Sequence, residues 1–249
     1  MDLSVKKSDK HFLTPTRKWV EEYNLIEPND KIAVGLSGGK DSSTLFYILT
    51  VLKKQFPFDF ELVPITLDMG FDAEVDLVPL KKFVSELEYD LIVEPTDIAK
   101  IIFDIRQEKN PCSLCANLRR GALNNIAKDY GCNKVALGHH LDDGIETFFM
   151  NLLYNSKMAI FKPKTYLDRK DITVIRPLLA VEEKSIKNII NAKNIPVIHN
   201  PCPADKNTKR EEIKELVNEL SKKYPKIRTQ FLKGAKTIDI GEFWLPPRF

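Results

Sequence analysis

Lys31-Ile-Ala-Val-Gly-Leu-Ser-Gly-Gly-Lys-Asp-Ser42 decides the reading of this chain. Its first half is a short apolar run, the pattern of a strand buried on both faces of a parallel sheet. Its second half runs through Ser-Gly-Gly into a helix predicted from about Lys40 to Lys54. Two glycines let the backbone approach a ligand closely and adopt positive φ. The N-terminus of the following helix presents unpaired N–H groups and the positive end of its dipole, which together favour an anion. Ser37, Ser42 and Ser43 add hydroxyl donors, Lys40 can neutralise phosphate, and Asp41 is suited to holding Mg²⁺. A serine-capped turn would account for a Gly-Gly pair alone. The whole hexapeptide between a strand and a helix points instead to phosphate, and its spacing is not that of a Walker A loop.

Outward from this segment the alternation repeats. Strands are predicted at Glu61–Leu67, Leu91–Glu94, Lys134–Gly138 and Ile172–Ile175. Helices are predicted at Thr14–Tyr23, with Thr14 as cap and Pro15 at the first position, and then at Ala73–Glu88, after Thr96 or Asp97, at Leu114–Tyr130 and at Asp142–Tyr154. Strands alternating with helices imply βαβ units, hence an α/β fold with a parallel five-stranded sheet covered by helices. Ligands of such sheets bind beyond the carboxyl ends of the strands, where Ser37, Asp68 and Gly138 all fall. After Val181 the chain becomes a helical C-terminal extension, with charged helices at Glu182–Lys193 and Lys209–Lys223 and an irregular end at Trp244–Phe249. The predicted organisation is an N-terminal helix and linker (1–30), a nucleotide domain (31–180) and the extension (181–249).

With 38 basic and 35 acidic side chains the net charge is only +3, which excludes neither a nucleic-acid partner nor a small substrate. The first thirty residues are too charged for a secretory leader, and no apolar stretch approaches the ~20 residues of a membrane span. A cytoplasmic protein is expected. There Cys112, Cys115, Cys132 and Cys202 are not expected to pair as disulfides, and a C-x2-C spacing more often marks a metal or redox site. Pro111-Cys-Ser-Leu-Cys115 opens a helix, whose N-terminus lowers thiol pKa and favours the thiolate that metals need. Cys202 lies in the turn Asn200-Pro-Cys-Pro203. Three thiolates with an open fourth position suit either zinc or a [4Fe-4S] cluster with one unligated iron. Cys132, just before a strand, reads as a small packed residue.

Ser-Gly-Gly-x-Asp-Ser resembles the signature of the PP-loop ATP pyrophosphatases. That string, followed in order by Cys-Ser-Leu-Cys-x3-Arg-Arg-Gly, Leu137-Gly-His-His-Leu-Asp-Asp143 and a later Pro-Cys, resembles the tRNA 2-thiocytidine synthetase family from about Asn24 to Tyr224. The resemblance implies that ATP and Mg²⁺ bind on Leu36, Ser37, Gly38, Gly39, Lys40, Asp41 and Ser42. It also implies that a tRNA base oxygen is adenylated with release of pyrophosphate. Sulfur then replaces that oxygen, delivered through a [4Fe-4S] cluster on Cys112, Cys115 and Cys202. The donor would be sulfide or a desulfurase-type protein, and a persulfide on one of those cysteines is the rival route. Related 2-thiouridine enzymes carry cysteine-rich zinc modules at both ends, whereas here neither Met1–Phe12 nor the chain after Cys202 contains cysteine. The resemblance also implies a homodimer.

Around this centre, Leu67 and Asp68 are expected near the adenosine, and Gly138 and Asp143 near the nucleotide or its Mg²⁺. Either Asp142 or Asp143 also serves as a helix cap. Arg119 is the candidate for an ATP phosphate, because a guanidinium fits phosphate bidentately. His139 is a weaker acid–base candidate. Lys206, Lys209 and Arg210, and the loop cations Lys162, Lys164, Arg169 and Lys170, form either a solvated face or a tRNA-backbone surface. Three alternatives stay open: the same adenylation followed by amine attack, a different base or a small-molecule substrate, and a non-catalytic ATP- and cluster-binding sensor.

Overall fold

Ile32, Ala33 and Val34 are completely buried because their strand is central in the sheet and helices pack on its faces. The computed structural model describes residues 9–71, 75–108, 111–198, 202 and 209–237. Six strands lie in the order β3-β2-β1-β4-β6-β5. They are β1 (Lys31–Gly35), β2 (Glu61–Asp68), β3 (Ile92–Pro95), β4 (Lys134–Ala136), β5 (Lys164–Leu167) and β6 (Ile172–Ile175). β1 pairs in parallel with β2 and β4, β2 with β3, and β4 with β6. The five expected parallel strands are therefore present. β5 adds an antiparallel edge to β6, with Leu167 opposite Ile172. The sequence gives β5 little signal: it is four residues long, starts with a lysine and leaves Tyr166 exposed.

The helices are α1 (Lys10–Glu22), α2 (Lys40–Lys53), α3 (Val78–Glu86), α4 (Ile98–Lys100), α5 (Pro111–Asp129), α6 (Leu141–Asn155), α7 (Glu183–Lys193), α8 (Lys209–Lys223) and α9 (Ile227–Lys236). A π-helical turn at Ile101–Ile105 continues α4. The described residues of Met1–His140 and Phe161–Asn207 form one compact unit, and those of Leu141–Ile160 and Thr208–Phe249 a second.

In the first unit, α5 lays Leu123, Ile126 and Ala127 on Ala33, Ile65, Val135 and Ile172. Cys132 closes the end of this core and is 2 % exposed. α2 packs among β1, α1 and α7, and every residue from Ser42 to Leu52 is buried. Lys134 is buried at the start of β4, with Nζ 2.6 Å from both Asp30 and Glu27 and 3.1 Å from the Leu25 carbonyl. It ties the α1–β1 connector to the amino edge of the sheet.

The start of α1 differs from the sequence reading. The helix begins at Lys10, not at Thr14, and Pro15 lies inside it. Burial of Phe12 and Leu13 extends the helix past the local cap signal, and the Thr16 hydroxyl donates to the Phe12 carbonyl at 2.7 Å. The predicted ends at Trp244–Phe249 lie outside the described residues.

The second unit is a three-helix cluster. Leu141 and Ile145 of α6 meet Ile213 and Val217 of α8, with Phe149, Met150, Phe231 and Leu232 around them. Arg228 donates to Asp142 at 2.6 Å, and Arg210 to Glu146 at 3.0 Å and to Asp143. No described helix is long and apolar enough to cross a membrane.

Candidate active site

β1 ends at Gly35, and Leu36 is still held to the sheet by its N–H, which donates to the Ile65 carbonyl at 2.7 Å. The chain then turns through Ser37-Gly-Gly39 into α2. Gly38 has φ +76°, a conformation that a side chain would strain. Ser42 stitches the loop from inside. Its hydroxyl donates to the Gly39 carbonyl at 3.0 Å and accepts the Ser37 N–H at 3.1 Å, and the two serine oxygens are 3.2 Å apart. Gly39, the residue before α2, supplies no capping side chain. The first-turn amides of a buried helix are therefore directed at whatever binds there.

Two other segments close on this loop. A side chain on Gly138, just past β4, would place its Cβ 2.9 Å from the Asp41 carbonyl carbon and 3.0 Å from the Ser42 nitrogen. Only glycine lets the β4 end approach the first turn of α2 so closely. The N–H of Ile198 donates to the Gly38 carbonyl at 2.8 Å.

Lys40 lies 2.8 Å from Asp41 and 3.1 Å from Glu183, the first residue of α7. Burial works against its charge, but the two carboxylates outweigh it, and the ammonium is held above its ordinary pKa. Asp41 also faces His140 Nε2 at 3.5 Å. A fixed cation, a carboxylate and a helix N-terminus thus lie together, the arrangement suited to polyphosphate with a divalent cation.

Cys112 and Cys115 open α5, one exposed and one half-buried, and Cys202 is half-buried. Burial pushes the Cys115 thiol up and Arg119 beside it pulls it down. Cys202 and Cys112, both near enough to matter, push it up again. The structure therefore brings the three expected cysteines into one electrostatic neighbourhood and leaves Cys132 apart. No set of three or more His, Cys, Asp or Glu side chains among the described residues already stands in ligand geometry. The donor set nonetheless fits a thiophilic centre: two thiols one helical turn apart, a third from a distant segment, and an arginine to offset thiolate charge.

Other expected residues are placed as follows. Asp68 ends β2, where Oδ1 accepts the Gly70 N–H and its carbonyl accepts both Thr96 N and Oγ1. The Leu67 side chain packs on the α5 core. Asp143 lies in the second unit, paired with Arg210. His139 stacks at 5.0 Å on Phe161, and Lys209 sits 4.5 Å over the Tyr154 ring. Lys164 is bound to Asn24 and Glu27, and Lys170 to Asn125. Lys206 lies outside the described residues, as do Asn200, Pro201 and Pro203. Sequence reading missed Glu183 and Ile198, whose contacts with the loop span more than 140 positions and leave no local pattern.

The PP-loop domain family matches residues 6–220. This chain belongs to that family. Among relatives of the PP-loop protein, the tRNA-cytidine(32) 2-sulfurtransferase of Syntrophotalea carbinolica is 38% identical over 227 residues, covering 90% of this chain and 87% of the relative. The enzyme of the same name from Aliivibrio fischeri is 38% identical over 231 residues, covering 90% and 74%. A solved U34-tRNA thiolase from Methanococcus maripaludis, with its [4Fe-4S] cluster, superposes with a TM-score of 0.74 at 25% identity, covering 90% of this chain and 78% of its own.

Proposed function

We propose that this PP-loop protein is an ATP-dependent tRNA sulfurtransferase that replaces the C2 oxygen of a cytidine with sulfur. The observation that carries the reading is that Cys112 and Cys202 both act electrostatically on Cys115, in the same unit as the Ser37–Ser42 loop. A nucleotide site alone would suit many adenylating enzymes; a three-thiol site in the same unit adds sulfur chemistry. The names of the relatives and the cluster of the Methanococcus maripaludis thiolase support the sulfur half, and the PP-loop match supports the nucleotide half.

In this reading ATP–Mg²⁺ sits on residues 36–42. Asp41 is the carboxylate for Mg²⁺, and Lys40, fixed by Asp41 and Glu183, faces the phosphates. Gly138 borders the nucleotide, Leu67 and Asp68 border its adenosine, and Arg119 serves a phosphate. The C2 oxygen of the base attacks the α-phosphorus, and the bond to pyrophosphate breaks. The loop amides and Lys40 stabilise charge that develops on the phosphoryl oxygens, which is positioning and electrostatics without covalent protein chemistry. Sulfide then forms the C–S bond, and the C–O bond breaks with loss of AMP. Cys112, Cys115 and Cys202 are the residues that would hold a [4Fe-4S] cluster, which would supply the sulfur for that attack. Cys112 and Cys115 keep the centre at the start of α5, and Arg119 balances its negative charge. The sulfur comes from sulfide or a desulfurase-type donor, and the cytoplasm is the proposed location. A homodimer accords with family habit.

The test is anaerobic incubation with ATP, sulfide and a tRNA transcript bearing C32, then digestion and mass spectrometry of the nucleosides. Wild type forms 2-thiocytidine with one AMP and one pyrophosphate per modified base, and Cys202→Ala forms none. Thiolation undiminished in Cys202→Ala, or AMP release that ignores tRNA, contradicts the proposal.

A further inference from the structure

Arg176 is the residue immediately after β6, at the same carboxyl edge of the sheet as Ser37 and Gly138. It is only 9 % exposed. One Nη donates to the Lys162 carbonyl at 2.7 Å, and the guanidinium lies 5.2 Å over the Phe161 ring, whose other neighbour is His139. Nε is buried with no hydrogen-bond partner among the described residues, and no described carboxylate forms an ion pair with the side chain. A second cation, Arg120, acts on it electrostatically; among the described residues Arg120 donates to the Ala116 carbonyl and to Asn117 of its own helix. Burial and Arg120 pull the guanidinium down to about 10, so it remains charged at neutral pH. Burying a cation beside a second cation, with a donor left unused, is costly unless a counter-ion arrives.

We propose that Arg176, assisted by Arg120, is a receiving site for a phosphate oxyanion. A free Nε together with an Nη edge matches two oxygens of one phosphate. The proposal deepens the reading of this chain as a tRNA enzyme, since it assigns the phosphate to the RNA backbone near the target base. The alternative source is the nucleotide. It is disfavoured because the Ser37–Ser42 loop already carries its own phosphate complement, and because β6 lies two strands from β1, about 10 Å across the sheet.

The experiment measures binding of a tRNA transcript against salt concentration, and binding of ATP alone, for wild type, Arg176→Met, Arg176→Lys and Arg120→Ala. Neither ATP turnover nor sulfur is present in the tRNA arm. Arg176→Met is expected to weaken tRNA binding by roughly tenfold and to reduce the salt slope by about 0.7–0.9, the value of one phosphate contact. Arg176→Lys keeps the slope and loses affinity, because an ammonium preserves charge without the bidentate fit. Arg120→Ala, at an exposed position, shows a smaller loss in the same direction. If ATP affinity falls and tRNA affinity does not, the phosphate site stands but belongs to the nucleotide. If neither ligand responds to Arg176→Met and Arg120→Ala, Arg176 is a structural brace for the 162–165 segment and the proposal is overturned. Loss of thiolating activity as the correct function is separately visible: wild type would make no 2-thiocytidine while tRNA binding still depended on Arg176.

Discussion

Gly138→Ala isolates the contact that sets the end of β4 against the phosphate loop. Gly138 is not among the residues with positive φ, so alanine can adopt its backbone angles, and the change is purely one of space. The new methyl carbon would stand 2.9 Å from Asp41 C, 3.0 Å from Asp41 O and 3.0 Å from Ser42 N. Ordinary carbon contacts are about 3.5–4.0 Å, so something must move by roughly half an ångström or more. All three neighbours are backbone of the first turn of α2, and no side chain can rotate away. Overpacking of this kind costs about 1–3 kcal/mol of stability. The same displacement moves the loop amides and Asp41, and misplacement on the ångström scale lowers catalysis by as much as ~100-fold. Equilibrium binding of ATP–Mg²⁺ and thermal melting are measured side by side. Gly234→Ala in α9, where a Cβ meets nothing within 4 Å, serves as the comparison and should melt no lower than wild type. The expectation for Gly138→Ala is ATP affinity down at least tenfold with only a modest fall in melting temperature. Wild-type ATP affinity in a folded Gly138→Ala protein would refute the placement of the nucleotide on this loop.

Further outcomes follow from the same geometry. Lys134→Ala leaves Asp30 buried without its cation, costing about 3–5 kcal/mol and lowering the melting temperature by roughly 6–20 °C; an unchanged melt would remove this ion pair from the fold's framework. Burial pushes the Cys132 thiol from 9.0 up to about 11. Below pH 9 both folded and unfolded thiols keep their proton, and between about pH 9 and 11 only the unfolded one ionises. Wild type should therefore lose stability across that window relative to Cys132→Ala, and parallel pH profiles would contradict the assignment. Arg210 is engaged by Asp143 and by the buried Glu146, whose carboxyl burial holds above its usual pKa. Arg210→Ala should lower the melting temperature while leaving the salt slope of tRNA binding as it was; a reduced slope would return Arg210 to the RNA surface.

The parts of the fold that could be read from sequence are those written by local chemistry. Buried strands such as Ile32–Val34 are continuous apolar runs, and Ser37-Gly-Gly39 announces its turn because positive φ at Gly38 has few other solutions. What escaped reading depends on partners distant in the chain. β5 is a strand only because β6 offers it an edge, and α1 starts early only because Phe12 and Leu13 find a core. α9, with a lysine-rich surface and Gly234 inside it, is held by contacts of Phe231 and Leu232 with α6 and α8. The site divides in the same way. The motif residues Lys40, Asp41, Cys112 and Cys115 declare themselves, whereas Glu183 and Ile198 acquire meaning only where the chain returns to the loop. Arg176 carried one unused signal, since it follows a strand at the carboxyl edge just as Ser37 and Gly138 do.

The metal content of the anaerobically purified protein tests the three-cysteine centre most directly. Iron, acid-labile sulfide and zinc per chain are measured for wild type, Cys112→Ala, Cys115→Ala, Cys202→Ala and Cys132→Ala. About four irons and four sulfides in wild type and in Cys132→Ala, lost in each of the other three, is the result predicted by a [4Fe-4S] centre with three cysteine ligands. Stoichiometric zinc, no metal at all, or iron retained in Cys202→Ala would contradict it.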